Sequence, residues 1–243
     1  MTNDRPDMGW HASGPISAPA RETLDESERQ AYDFILARER RKFATHQTDD
    51  RQFEVSVLYR VLLQSPLMAE AIARLTNFFM QGETRGTYTN RQRELVDLAL
   101  AVELRTTFTA FTHVADAMGV GIDPDSIKNV LDGRLDRLTE DDAMVVQYAR
   151  AVCRGQVAPG AFEELANTMG LKGAVEYTEL ICCKMMLMRT LQVFIPLFHI
   201  HEDWETDLER LHSRLERLRA GEDDVPDYHR GDSWTNTEGT VEA

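Results

Sequence analysis

The sequence predicts an all-α fold. Apolar residues recur at intervals of three and four along most of the chain, as one face of a helix requires, and no alternating strand pattern persists. Start and stop signals, such as Ser65-Pro66 and the connection from Gly119 to Pro124, divide this pattern into helical lengths. The chain has 243 residues, of which 42% are hydrophobic, so it is long enough to bury a core.

The acidic composition disfavours two classes of partner, nucleic acids and anionic membranes. Lys and Arg total 27 against 41 Asp and Glu, a formal charge of −14, so nucleic-acid backbones and anionic membranes are mostly repelled. The N-terminal segment shows neither a basic nor an apolar leader region, and the three cysteines include no CxxC spacing. We therefore expect a cytoplasmic protein with reduced thiols that binds neither nucleic acid nor membranes.

The N-terminal part predicts an arm followed by three helices. Residues 1–20 contain prolines and glycines with few large apolar side chains, which indicates a flexible arm. In residues 24–43 acidic residues come early and basic ones late, the order that a helix dipole favours. Apolar residues at helical spacing in 57–62 indicate a second helix, and Ser65-Pro66 ends it and begins a third that continues through Met80.

The middle of the chain predicts a series of shorter helices with recognisable ends. Thr89 or Asn90 can cap the helix that follows, and Thr139 with Asp142 resembles a capping box. Glycines and Pro124 separate the remaining elements. The predicted helices cover residues 91–104, 106–119, 123–133, 139–153 and 159–169.

The C-terminal part contains a long apolar helix and a leucine seam. Residues 173–196 are apolar nearly all round, which indicates a central buried helix, because charged residues interrupt the run too often for a membrane span. Leu208, Leu211, Leu215 and Leu218 then recur at heptad-like steps, a seam that packs either onto its own domain or onto another subunit. We expect one helical domain over 21–220 and a flexible acidic tail over 221–243.

The segment RQRELVDLALAVELRTTFTAFTHVADAMGVG, residues 91–121, resembles the signature helix pair of the carboxymuconolactone decarboxylase superfamily, which includes the AhpD-type peroxidases. In the redox branch of that family a glutamate precedes a CxxCxxxH motif by twelve positions. Glu94, Thr106, Thr109 and His113 occupy this frame, with threonine at both cysteine positions. The resemblance covers about residues 52–200 and implies an AhpD-like helical bundle with an extra helix at each end.

The resemblance also implies a function and an assembly. It assigns proton transfer to Glu94 and His113, substrate orientation to Thr106 and Thr109, and anion binding to Arg189. The implied protein is a homo-oligomer, a trimer or hexamer, that needs no cofactor and acts as a lyase on a small carboxylated or lactone-type compound.

The residues themselves support an acid and base pair without sulfur chemistry. A carboxylate and an imidazole in a pocket walled by Phe108 and Phe111 would have pKa values moved towards neutrality, although burial and mutual attraction act in opposite directions. The two threonines and His113 share one helical face. Hydroxyl groups cannot replace thiolates in disulfide exchange, so these threonines can only donate, accept or orient.

Several residues have structural alternatives to a functional role. Arg189 lies on the apolar helix, where a structural salt bridge, with Glu176 or Glu179 as partner, competes with anion binding. His199-Ile200-His201-Glu202 contains two histidines, too few for a metal site, so no metal is expected. Cys182 and Cys183 are expected to be unreactive core thiols.

Three functions therefore stand as hypotheses. The first is the cofactor-independent lyase. The second is an AhpD-like alkylhydroperoxide reductase, against which the missing CxxC argues. The third is a scaffold or ligand-binding protein without catalysis, in which His113 and Glu94 are ordinary core residues.

Overall fold

The structure, a computed structural model, describes residues 14–43, 55–223 and 225. These residues form helices and connecting turns and contain no strand, which confirms the all-α class. The α-helices are α1 (Glu26–Phe43), α2 (Val57–Leu62), α3 (Pro66–Met80), α4 (Asn90–Leu104), α5 (Thr107–Gly119), α6 (Pro124–Leu131), α7 (Glu140–Arg154), α8 (Ala161–Phe194) and α9 (Trp204–Ala220).

The contacts divide the chain into two compact units. Unit 1 contains α1 to α3 together with residues 197–199, and unit 2 contains α4 to α9. The expectation of a single domain over 21–220 stays a prediction. Residues 1–13 of the predicted arm and nearly all of the predicted tail lie outside the described residues.

Unit 1 is built on the packing of α1 against α3. Ala31 and Ile35 of α1 are fully buried, and so is the carboxylate of Glu39. Glu39 accepts hydrogen bonds from Arg38, at 3.1 Å, and from the backbone N–H of Ser56, at 3.3 Å. The buried charge is therefore paired, as a carboxylate removed from water must be.

Helix α4 is the centre of unit 2, where it contacts α5, α6, α7 and α8. Thr89 caps its start through a reciprocal capping box with Gln92, as the sequence predicted for Thr89. Its end is a left-handed residue, Arg105, with φ of 53°. Because only Arg105 and Thr106 separate α4 from α5, the two helices form a tight hairpin.

Helix α8 is interrupted at Gly170, whose φ of 75° and ψ of 159° are not helical. This break separates the two helices that the sequence predicted there. The second segment is buried on one side only, which corrects the expectation of a central buried helix over 173–196: Val175 and Val193 are 47% and 66% exposed. Among the described residues, Ala161–Phe198 is the one stretch long and apolar enough to cross a membrane by length and composition, and a third of its most apolar window is buried.

Helix α9 packs onto its own unit, against α5 and α6. Leu211, Leu215 and Leu218 are buried there, which confirms the first of the two alternatives for the leucine seam. The start of α9 is held by Asp207, which accepts hydrogen bonds from the hydroxyl of Thr107 and from the backbone of Asp203, both at 3.0 Å.

Candidate acid and base site

Glu94 and His113 form a hydrogen-bonded pair between α4 and α5. Nδ1 of His113 lies 2.8 Å from Oε2 of Glu94. The tight hairpin turns α5 back along α4, which brings these residues into contact across 19 positions of sequence. The Glu94 side chain is 3% exposed and the imidazole 15%, so most of the accessible surface of the pair belongs to His113. The two side chains meet, as the sequence predicted.

The pair lies within a larger network of charges. Both Nε and Nη2 of Arg93 donate to Oε1 of Glu94, at 3.2 and 3.0 Å. On the next turn of α4, Oδ2 of Asp97 lies 3.6 Å from Nδ1 of His113. Asp97 is itself paired with Lys184 of α8, whose Nζ donates to the same oxygen at 2.6 Å. Each buried carboxylate of α4 therefore has its own cation.

Asp116 adds a third carboxylate near the same ring nitrogen of His113. Asp116 lies one turn after His113 on α5, and its Oδ2 is 3.6 Å from Nδ1 of His113. The side chain of Asp116 is more exposed than those of Glu94 and Asp97. Arg93 and Lys184 balance two of the three negative charges. The cluster is neutral when the imidazole is protonated and carries one negative charge when it is not.

The surroundings lower the pKa of Glu94 and raise that of His113, which favours an ion pair. Burial alone would raise the pKa of Glu94, but the charge of His113 and its hydrogen bond, followed by Arg93 and Lys184, hold that pKa well below its usual range. Burial alone would lower the pKa of His113, and the charges of Asp97 and Glu94 outweigh it, so the pKa of His113 is raised. Both shifts favour the ion pair of a carboxylate and an imidazolium over the neutral pair.

Three ligand atoms at this site lie close enough for one divalent ion. An oxygen of Glu94, an oxygen of Asp116 and a ring nitrogen of His113 lie within 4.8 Å of one another. A metal needs a neutral imidazole, however, and the raised pKa of His113 opposes its loss of a proton. The second oxygen of Glu94 is also occupied by Arg93. The absence of a metal from the function stays our prediction.

Thr106 contacts a different carboxylate, that of Glu202, and Thr109 contacts Thr106. Their hydroxyl oxygens lie 3.3 Å apart, and that of Thr106 donates to Oε1 of Glu202 at 2.9 Å. The same oxygen accepts the backbone N–H of Phe108 at 2.8 Å. Glu202 thus caps the start of α5, where Thr106 makes no side-chain cap of its own. Despite these bonds, burial raises the pKa of Glu202. Both threonines are buried, and the structure gives Thr106 a structural partner.

Among the described residues, no contact connects Arg189 to Glu94 or His113. It lies on the exposed side of α8 and donates to Oε1 of Gln192 at 2.8 Å. The sequence argument assumed a buried guanidinium, which needs a counter-ion, and that assumption is wrong because this side of α8 is uncovered. Glu176, expected as a competing partner, instead accepts from Arg85 at 2.7 Å.

Lys184 is the α8 cation that reaches the site, and sequence reasoning missed it. It interrupts the apolar run in the same way as Arg189, so the signal was present. Five positions on a helix are about 140° apart, since each residue turns by about 100°. Only one of these two cations can therefore face α4, and the sequence does not show which.

The other candidates have structural surroundings. The ring of Phe111 lies 4.6 Å from the guanidinium of Arg214 on α9, and Phe108 is fully buried; the aromatic wall beside the pair stays a prediction. Burial raises the pKa of each free cysteine, Cys153, Cys182 and Cys183, so none has the low pKa of a reactive thiolate. Cys182 is exposed, which corrects its expected place in the core.

Comparison with known proteins leaves the chain without an assigned relative. No family model, no curated protein and no solved structure matches it. The resemblance to the carboxymuconolactone decarboxylase superfamily therefore stays an expectation that depends on the motif in residues 91–121.

Proposed function

We propose that this protein is a carboxymuconolactone-decarboxylase-like lyase that acts on a small carboxylated or lactone-type compound by acid and base chemistry, without a cofactor. The observation that carries the proposal is the 2.8 Å contact between the buried carboxylate of Glu94 and the more exposed imidazole of His113. Such a pair fixes one ring nitrogen and leaves the other for proton transfer.

His113 is the proposed catalytic residue and Glu94 its positioning residue. With Nδ1–H donated to Glu94, the imidazolium has its Nε2 proton to give to a substrate carbon or oxygen, and the neutral ring can take a proton back there. Glu94 stabilises the imidazolium and selects the tautomer, as a carboxylate behind a catalytic histidine does. In a decarboxylation the conjugated carbonyl group of the substrate accepts the electrons of the broken C–C bond, and CO2 leaves.

The carboxylated substrate of this proposal comes from the resemblance, because the charged groups of the site sum to zero when His113 is protonated. Arg93 and Lys184 are both paired with carboxylates of α4, so the group of the site that can still donate to a substrate is Nε2–H of His113. A substrate carboxylate or carbonyl oxygen would accept this hydrogen bond. Arg189, whose described hydrogen bond is with Gln192, stays only an expectation as an anion-binding residue.

The redox alternative is disfavoured. Threonine stands at both positions where the AhpD branch has cysteine, and hydroxyl groups cannot cycle as a dithiol. The cysteines that are present have raised pKa values. The non-catalytic alternative predicts that substitutions at His113 and Glu94 leave the biological activity intact.

The test measures turnover of a panel of carboxylated γ-lactones by proton NMR. We expect His113→Gln to lower kcat/KM by about 100-fold or more, the usual contribution of an acid or base, and Glu94→Gln to lower it as well. His212→Gln is the matched control, since His212 on α9 pairs with Asp132, directly after α6, and not with Glu94. Far-UV circular dichroism establishes that each variant is folded.

The pH profile separates the proposed acid from other roles. If the imidazolium is the proton donor, kcat/KM falls as pH rises through the raised pKa of His113. Asp97→Asn removes a charge that raises this pKa, so the fall moves to lower pH. No turnover of any lactone by the wild-type protein, or undiminished turnover by His113→Gln, would contradict the proposal.

A further inference from the structure

Unit 2 exposes a strip of side chains along the second segment of α8. Leu171, Val175, Met186 and Val193 are 67%, 47%, 42% and 66% exposed. At about 100° per residue, the strip occupies an arc of about 80° on the helix. We call these residues the α8 strip: Leu171, Val175, Glu179, Cys182, Met186, Arg189 and Val193.

Two pairs of residues of the α8 strip are placed symmetrically about its middle residue, Cys182. Leu171 and Val193 lie eleven positions to either side of it, and Val175 and Arg189 lie seven positions to either side. If a second α8 crosses the first in the opposite direction at Cys182, Leu171 therefore meets the partner's Val193. Both exposed ends of the strip are then covered by apolar residues, as an interface of one surface with itself requires.

The charges of the strip favour the same arrangement. Glu179 and Arg189 are its charged residues. In the antiparallel arrangement Glu179 lies about 6 Å along the helix axis from the partner's Arg189, a distance that these long side chains span. The two-fold symmetry makes this ion pair twice. A parallel arrangement would instead place Glu179 beside the partner's Glu179, which is repulsive.

We propose that the α8 strip is the contact between two copies of this chain, related by a two-fold axis through Cys182. This inference concerns a surface and is independent of the proposed chemistry of Glu94 and His113. A membrane is the weaker alternative, because insertion would remove Glu179 and Arg189 from water without a partner, and because the chain carries a charge of −14.

The proposal places the two Cys182 thiols within reach of a disulfide. Packed helix axes are about 8–10 Å apart and the Cα atoms lie about 2.3 Å from each axis, so facing Cα atoms are about 3.4–5.4 Å apart. Disulfides join Cα atoms about 4.4–6.8 Å apart. Diamide, an added oxidant, takes two electrons and two protons from the two thiols and becomes the hydrazine as the S–S bond forms.

The first experiment treats the full-length protein with diamide and follows the product by non-reducing electrophoresis. We expect a covalent pair of chains that a reductant separates. Cys182→Ser abolishes it, whereas the matched control Cys153→Ser retains it. A covalent pair that persists in Cys182→Ser overturns the proposal, because the contact then lies elsewhere.

The second experiment measures the assembly by analytical ultracentrifugation. Val175→Glu places a charge in the strip and is expected to raise the dissociation constant at least tenfold. Val157→Glu is the control, since Val157 is 42% exposed but lies outside the strip. Glu179→Arg weakens the assembly in the same way, and adding Arg189→Glu restores it by reversing the ion pair. This restoration distinguishes a broken contact from a misfolded variant.

The outcomes that overturn the inference are specific. They are a monomer at tens of micromolar that diamide does not cross-link, an assembly that Val175→Glu leaves unchanged, or a charge reversal that the second substitution does not restore. Sedimentation with vesicles of phosphatidylcholine and phosphatidylglycerol, lost in Val175→Glu, would assign the strip to a membrane and overturn it as well.

Discussion

Replacing Lys184 with methionine tests the charge network around the candidate site. Lys184 donates to Asp97 at 2.6 Å, and the side chain of Asp97 is 1% exposed, so the substitution leaves a buried carboxylate without its cation. Breaking a buried pair in this way costs about 3–5 kcal/mol. Because the imidazolium of His113 lies 3.6 Å away and compensates in part, we expect the lower end, about 3 kcal/mol.

The loss of stability is measured by urea unfolding, and it corresponds to a fall in Tm of roughly 6–12 °C for a chain of this size. Lys172→Met is the matched control, since Lys172 is exposed and lies 4.0 Å from Glu176 on the same helix. That variant should change stability by less than about 0.5 kcal/mol. The double variant Asp97→Asn with Lys184→Met should recover at least half of the loss, because neither charge remains unpaired.

The titration of His113 gives an independent readout of the same network. The charge of Lys184 lowers the pKa of His113 and the charge of Asp97 raises it. Lys184→Met should therefore move the NMR titration of His113 to higher pH, and Asp97→Asn to lower pH, with His113→Gln used to assign the signal. If Lys184→Met costs less than about 1 kcal/mol and leaves the titration unmoved, the network inferred here is refuted.

Three further substitutions test the packing of unit 2, each by urea unfolding. Leu211→Ala should cost about 3 kcal/mol, because Leu211 is fully buried where α9 meets its neighbours, and a cost below about 1 kcal/mol contradicts that packing. Gly173→Ala should cost about 1–3 kcal/mol, since the new Cβ would lie 2.6 Å from the carbonyl oxygen of Thr87; a neutral result argues against this close approach. Glu202→Gln tests a pH dependence: because burial raises the pKa of Glu202, the wild-type protein loses stability as pH rises through that pKa, whereas the amide does not titrate. The free energy of unfolding of Glu202→Gln, relative to that of the wild-type protein, should increase as pH rises from about 4.5. A relative free energy that is constant with pH contradicts this cause.

The helices were predictable because their signals are local. Thr89 caps α4 and Pro66 begins α3 where the sequence indicated, since capping and proline geometry depend on residues within one turn. The contact of Glu94 with His113 was predictable for a related reason. The two residues lie on consecutive helices, which a connection of two residues folds back on each other.

The contacts that sequence reasoning missed join distant parts of the chain. Glu202 reaches Thr106 across 96 positions, and Lys184 reaches Asp97 across 87. No periodicity predicts such pairs, because they depend on how α8 and the start of α9 pack against the α4 and α5 hairpin. The exposure of one side of α8 was missed for a similar reason: an apolar composition shows that a surface avoids water, but not which partner covers it.

Only Arg105 and Thr106 connect α4 to α5. The number of residues between Glu94 and His113 therefore fixes the direction in which each side chain points from its helix. One residue inserted into α5 ahead of the imidazole would turn it by about 100°, away from the carboxylate, and the hairpin has almost no loop in which to absorb the change. Length variation among homologous chains should therefore be absent between these residues. It should be tolerated in the exposed turn at 155–160, where an added residue would leave α4 and α5 unchanged.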